Sequence, residues 1–299
     1  MRRAAVVIAV LGMCAGLMAQ DKGASQAPPA GQGQAAQPAA PAGKRPPQAK
    51  TQPEFEAYKA AVALTDPAAA EKAADDFAAK FPDSELRVVL YKAAMQKYQQ
   101  ANNAEKMMEM AQKALTYDPD DPEALLGVSQ VLAERTRDTD LDKDQRLAEA
   151  KKDADHALQT IDTDLPTTGY PPEQLAAYKG FLRSEAYAVL GALASGSKNW
   201  PEAETNLRKS IDAYPQQVDP VAVLRLAVAL DMQNKFPEGL KYANQAVDLT
   251  KDHPDSAAGK AARAEQDRLT RLNGGTAPGS AAPPAQSANP PAGGTPPKN

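Results

Sequence analysis

The chain has 299 residues, with 34 basic and 38 acidic side chains, 26 prolines, 18 glycines and one cysteine, and its Pro and Gly crowd the two ends, so the part able to bury a core is shorter than the chain. Residues 1–52 carry six basic and one acidic residue and the tail only Lys298, which leaves 27 basic and 37 acidic residues in 53–272. A body with a net charge of about −10 is unsuited to nucleic acid, which wants clustered Lys and Arg.

The first element is a leader. Met1-Arg2-Arg3, an apolar run from Ala4 to Leu17 and then Met18-Ala19-Gln20 follow the charged, apolar, small order of a secretory signal peptide. The run is 14 residues, too short to cross a ~30 Å hydrocarbon core as a helix, so cleavage after Ala19 and a periplasmic or secreted location are expected, with no stable membrane insertion. The pair Arg2-Arg3 lacks the flanking pattern of a folded-protein export signal, which favours the general secretion route. Cys14, in Leu11-Gly12-Met13-Cys14, stands near a lipid-attachment box, but bulky Met13 occupies the place of the small residue that precedes a lipidated cysteine. A lipoprotein is therefore not expected, and the mature chain has no cysteine to form a disulfide. Residues 20–52 are rich in Ala, Pro, Gln and Gly, with Lys44, Arg45 and Lys50 near their end, and predict a disordered linker whose basic groups suit an anionic surface.

From Pro53 to Leu272 apolar residues recur at helical spacing, with breaks at Asp-Pro, Tyr-Pro and Phe-Pro, and strands find no place. Ala70, Ala74, Phe77 and Pro82 pattern a second helix of a first unit, whose first helix holds Phe55, Tyr58 and Val62. Tyr91, Met95, Tyr98, Met107, Ala111, Ala114 and Pro119 pattern a second unit. The third has Leu125, Val128, Ser129 and Leu132, then Ala150, Ala154 and Ala157, with nine extra residues in the turn between its helices. The fourth has Tyr187, Leu190, Gly191, Ala194, Ala203, Leu207, Ser210 and Pro215. The fifth has Val223, Leu226, Ala227, Leu230, Gly239, Ala243 and Ala246, with Lys251 in place of the terminal proline. Asn199-Trp200-Pro201-Glu202-Ala203 is echoed by Lys235-Phe236-Pro237-Glu238-Gly239 at a spacing of 36. Pro254 to Leu272 predicts a capping helix, and 273–299 a disordered Pro/Gly-rich tail.

These spacings resemble the tetratricopeptide repeat, a unit of about 34 residues in two helices with small residues where the helices come close. The resemblance covers 53–272 and implies an all-α, right-handed superhelical solenoid of about five helix pairs plus the capping helix, with Gly191 and Ala203 facing each other at the closest approach. It further implies a non-enzymatic scaffold that takes segments of protein or peptide partners in the inner groove, with no cofactor. Carried over residue by residue, the groove positions are Lys92, Gln96, Gln99, Glu123, Leu126, Gln130, Glu185, Ser195, Leu224, Val228 and Asp231, polar toward the N-terminal units and more apolar toward the C-terminal ones.

The remaining candidate chemistry is in the insertion. Asp138, Asp140, Asp142, Asp144 and Glu149 fall at places 1, 3, 5, 7 and 12 of an EF-hand calcium loop, whose oxygens wrap a hard cation. Lys143 stands at place six where glycine is wanted, and Gln145 at place eight where an apolar residue is usual, so a solvated acidic loop is the competing expectation and no metal site is favoured. His156 and His253 have no partner at metal-ligand spacing. No phosphate loop, nucleophile elbow or zinc-protease pair occurs. Trp200 and Phe236 fall at packing positions.

Overall fold

A computed structural model describes residues 43–166 and 171–274; the expected leader, the linker up to residue 42 and the tail from 275 lie outside the described residues. Among the described residues the chain is all-helical: α1 Gln52–Val62, α2 Pro67–Lys80, α3 Leu86–Gln100, α4 Ala104–Leu115, α5 Pro122–Arg135, α6 Lys143–Thr160, α7 Pro172–Gly196, α8 Trp200–Ala213, α9 Pro220–Asp231, α10 Phe236–Leu249 and α11 Ala257–Leu272. None of them is long and apolar enough to cross a membrane.

The helix starts are written locally. The side chains of Thr51, Asp66, Asn103, Asp121, Asp219 and Ser256 each accept an amide of the turn they open. Proline sits in the first turn of α1, α2, α5, α7, α8, α9 and α10, where its missing N–H leaves no bond unmade. One turn joins α3 to α4, α7 to α8 and α9 to α10. Asn102, Lys198 and Asn234 have φ of 57°, 59° and 59°. The next amide reaches back across the helix end, Asn103 N to Tyr98 O at 2.9 Å, Asn199 N to Ala194 O at 2.8 Å and Lys235 N to Leu230 O at 2.9 Å. A left-handed residue followed by such a bond closes a helix in the Schellman manner. After α5 this turn is absent; Thr136 is extended, residues 136–142 form a loop, and α6 runs to 18 residues against 14 for α2. The insertion is thus divided between a loop and added helix.

Successive helices pack in pairs, and each odd-numbered helix also packs against the next odd-numbered one through α9 and α11. Between the even-numbered helices, the α2–α4 and α8–α10 pairs are instead spanned by long side chains. Lys106 of α4 lies 2.8 Å from Glu71 of α2, and Arg208 of α8 lies 2.7 Å from Glu238 of α10. Close packing on one side and long bridges on the other curve the stack, with the odd helices inside. This is the tetratricopeptide-repeat fold, with α1–α10 as five pairs and α11 as the cap.

Much of the core is alanine. Ala74, Ala94, Ala111, Ala124, Ala154, Ala203, Ala243 and Ala262 are fully buried, and short side chains let helix axes approach to about 8–10 Å. At Gly191 a Cβ would fall 2.6 Å from Leu207 Cγ, so the close approach of α7 and α8 is real, but the residue pressed against the glycine is Leu207, one turn beyond Ala203. Gly239 similarly admits Leu269 of α11, 3.3 Å from where its Cβ would stand. Buried hydroxyls are satisfied: Ser129 donates to Ala150 O at 2.6 Å and Ser210 to Ser184 O at 2.9 Å.

The sequence pattern did not account for α7's first turns. The helix has 25 residues and starts well before Tyr187. Its overhang places Leu182 in a core with Leu125, Leu126, Ile161 and Leu165, and sets Phe181 edge-on to Tyr214 at 5.9 Å.

Candidate functional site

The inner wall is built from the odd-numbered helices. A small, shallow hollow lies where α5, α7 and α9 meet. Ala133, Ala188, Val189 and Ala192 give it apolar lining, and Gln130, Glu134, Glu185 and Arg225 give it polar groups. Small side chains on facing helices leave room for a chain to lie close to the wall. Gln130 adds an amide beside them, while Glu134, Glu185 and Arg225 already have partners of their own.

Two of the expected groove residues, Gln130 and Glu185, line this hollow, and Leu224 and Val228 are half-buried on α9. Gln96 and Gln99 are exposed on α3, and Gln96 borders a second hollow with the α1–α2 turn. Ser195 donates to Gly191 O at 2.8 Å, within its own helix.

Three of the expected groove residues are engaged in contacts within the solenoid. Leu126 is 6% exposed and belongs to the core with Leu165 and Leu182, because the α7 overhang covers it. Asp231 is 4% exposed and pairs with Arg268, which ties α9 to the cap. Lys92 lies 2.8 Å from both Asp121 and Glu123, and Gln96 reaches Glu123 at 3.5 Å. Burial alone would lower the Lys92 pKa, but the two carboxylates more than offset it and hold the ammonium well above the ordinary lysine value. Lys92 and Glu123 therefore fasten α3 to the start of α5, where Asp121 also accepts Ala124 N at 2.9 Å.

Ala188 and Ala192 share the register of the groove positions named on α5 and α9, and as small residues they do not stand out in the sequence from the alanines of the core. Glu134 and Arg225 lie one step beyond that register.

The acidic insertion does not gather around a centre. Lys143 places its ammonium 2.7 Å from Asp138, Asp140 accepts Arg137 N at 2.8 Å, and Asp142 precedes α6, on which Asp144 and Glu149 lie. Lysine at the sixth place thus pairs with the carboxylate at the first. No group of three or more His, Cys, Asp or Glu among the described residues is arranged to hold a metal ion. His156 pairs with Asp120 at 2.8 Å, and Trp200 and Phe236 are half-buried against core clusters.

No protein-family model matches the chain, and no curated protein does. Solved structures similar to it include YrrB, described as a tetratricopeptide protein with an unusual peptide-binding site, at 15% identity over 67% of this chain and 85% of that one, TM-score 0.43. PilF of Pseudomonas aeruginosa is similar at 18% identity over 75% and 96%, TM-score 0.45. Acl4, an assembly chaperone of RpL4, is similar at 13% identity over 74% and 99%, TM-score 0.40. Nothing about this chain's partner follows from likenesses this distant.

Proposed function

We propose that the chain is a non-enzymatic scaffold that holds a segment of a protein partner against its inner wall, in the hollow between α5, α7 and α9. The observation that carries this reading is the lining itself: three alanines and a valine from two helices, flanked by Gln130, Glu134, Glu185 and Arg225. An extended or helical segment can lay apolar side chains on such a wall. The order of charged, apolar and small residues in 1–19 supports an exported protein, working in the cell envelope or outside it.

The test compares chains carrying a photo-crosslinking residue at Ala192 with chains carrying it at Gln112, an exposed residue of α4. Irradiated in envelope extract, the Ala192 chain is expected to form a discrete adduct, which Ala188→Arg in the same chain removes. Adducts from Gln112 alone would move the working surface to the outside of the stack. Mass spectrometry of the exported chain should find Gln20 as its first residue.

A further inference from the structure

Residues 43–51 do not leave the solenoid where α1 begins; they run back along the edge formed by the turns between units. Lys44 N donates to Thr163 O at 2.9 Å, and its ammonium lies 2.5 Å from Asp118 and 3.2 Å from Asp164. Arg45 pairs with Glu85, which also accepts the Gln48 amide, and Lys50 Nζ donates to Asp83 O at 2.7 Å. Ala49 packs against the core of the first units. One short segment thus touches the turns that follow α2, α4 and α6, in reverse chain order.

The fit has a physical basis on both sides. The six residue steps from Lys44 to Lys50 can reach at most about 20 Å, comparable to two steps of a stack whose helices lie about 10 Å apart. Pro46 and Pro47 bring no amide that would need a partner, favour an extended backbone and lose little entropy on docking. The seat supplies two carboxylates to Lys44, one to Arg45 and a backbone carbonyl to Lys50, and the carboxylates of Asp118 and Asp164 are 17% and 20% exposed beneath the strap.

We infer that this turn edge is a second docking surface, separate from the inner groove, shaped for an extended, proline-containing segment with basic side chains, and that residues 43–51 are the occupant the chain supplies to itself. A partner segment of the same chemistry gains the seat by displacing the strap. Tethering gives the strap an effective concentration in the millimolar range, so the seat stays closed to weak competitors and opens when the basic contacts are lost.

The test uses the full chain and a fluorescent peptide with the sequence of residues 43–51. In the strap-released variant Lys44→Glu plus Arg45→Glu, the peptide is expected to bind at least about tenfold more tightly than to the unaltered chain, because the tethered competitor is gone. Adding Glu85→Gln, Asp118→Asn and Asp164→Asn should abolish that binding, and raising salt from about 50 to about 500 mM should weaken it. Lack of saturable binding to the released chain, equal affinity for both chains, or binding that survives the three seat substitutions would overturn the inference. A fall in far-UV helicity on release would overturn it too, since the strap would then be a fixed part of the fold.

Discussion

At the scale of single residues, Leu207 presses against Gly191 where α7 and α8 come closest, and Lys92 is held by two carboxylates. Gly191 and Ala203 were legible as small residues at a close approach, but whether the glycine faces Ala203 or Leu207 depends on the rotation of α8, which spacing alone does not fix. Lys92 was read as a groove cation because it stands at a groove register; the two carboxylates that claim it come from the following turn and helix. Lys92→Met should therefore act as a stability mutation, costing roughly 3 kcal/mol because Asp121 is left buried without its cation. Chemical denaturation would show this, with Lys59→Met, at an exposed site, within about 0.5 kcal/mol of the parent chain. Adding Asp121→Ser, which keeps a cap for α5, should recover part of the loss. A Lys92→Met chain as stable as the parent would return Lys92 to the groove.

At the scale of elements, helix positions were legible because proline, capping side chains and periodicity agree at most starts. Two features were not. The α7 overhang lies outside any repeat, so no motif position marks it, and it is what buries Leu126. The insertion looked like a calcium loop because its carboxylates alternate, yet α6 draws Asp144 and Glu149 into a helix and Lys143 neutralises Asp138. Millimolar calcium should accordingly leave the unfolding temperature unchanged; a rise of several degrees would show that the loop closes on the ion.

The shared left-handed turn gives a prediction of the opposite sign. Lys198 holds φ of 59°, a conformation that costs a non-glycine residue about 1 kcal/mol, so Lys198→Gly should raise the melting temperature while Asn102→Gly changes it less. Equal shifts at the two sites would contradict the assignment.

The bridges between even-numbered helices make acid stability a property of this level. For Glu71, burial pushes the pKa up, but hydrogen bonds from Lys106 and Tyr98 bring it below the ordinary 4.5; for Glu204, burial is likewise outweighed by Lys235, Arg208 and Gln233. A carboxyl lowered in the folded state stabilises it fully above 4.5 and loses that contribution as the pH falls through the depressed value. Glu71→Gln with Glu204→Gln should lower the melting temperature at neutral pH and flatten its decline below about pH 4.5. Parallel curves for variant and parent would mean that these bridges do not govern the acid limb.

At the scale of the whole molecule, the solenoid was readable from recurrence alone, since no single unit buries its own apolar face and five imperfect copies must lean on one another. Its inner wall was readable only in part. Gln130 and Glu185, named from the sequence, line the hollow, whereas Ala188, Ala192 and Arg225 emerge beside them once α5, α7 and α9 are set side by side. The stretch expected to be a loose linker ends in a strap across three inter-unit turns, a contact that composition could not announce because its acidic seat is assembled from separate units.

The account turns on the inner wall being the surface that works. The most direct measurement is the affinity of the cross-linked partner, once purified, for the parent chain and for Ala188→Arg and Ala192→Arg, each shown by circular dichroism to keep its helicity. Both substitutions are predicted to weaken binding by about 100-fold or more, as expected when a buried contact centre is blocked by a charged side chain. Unchanged affinity in both would contradict the account.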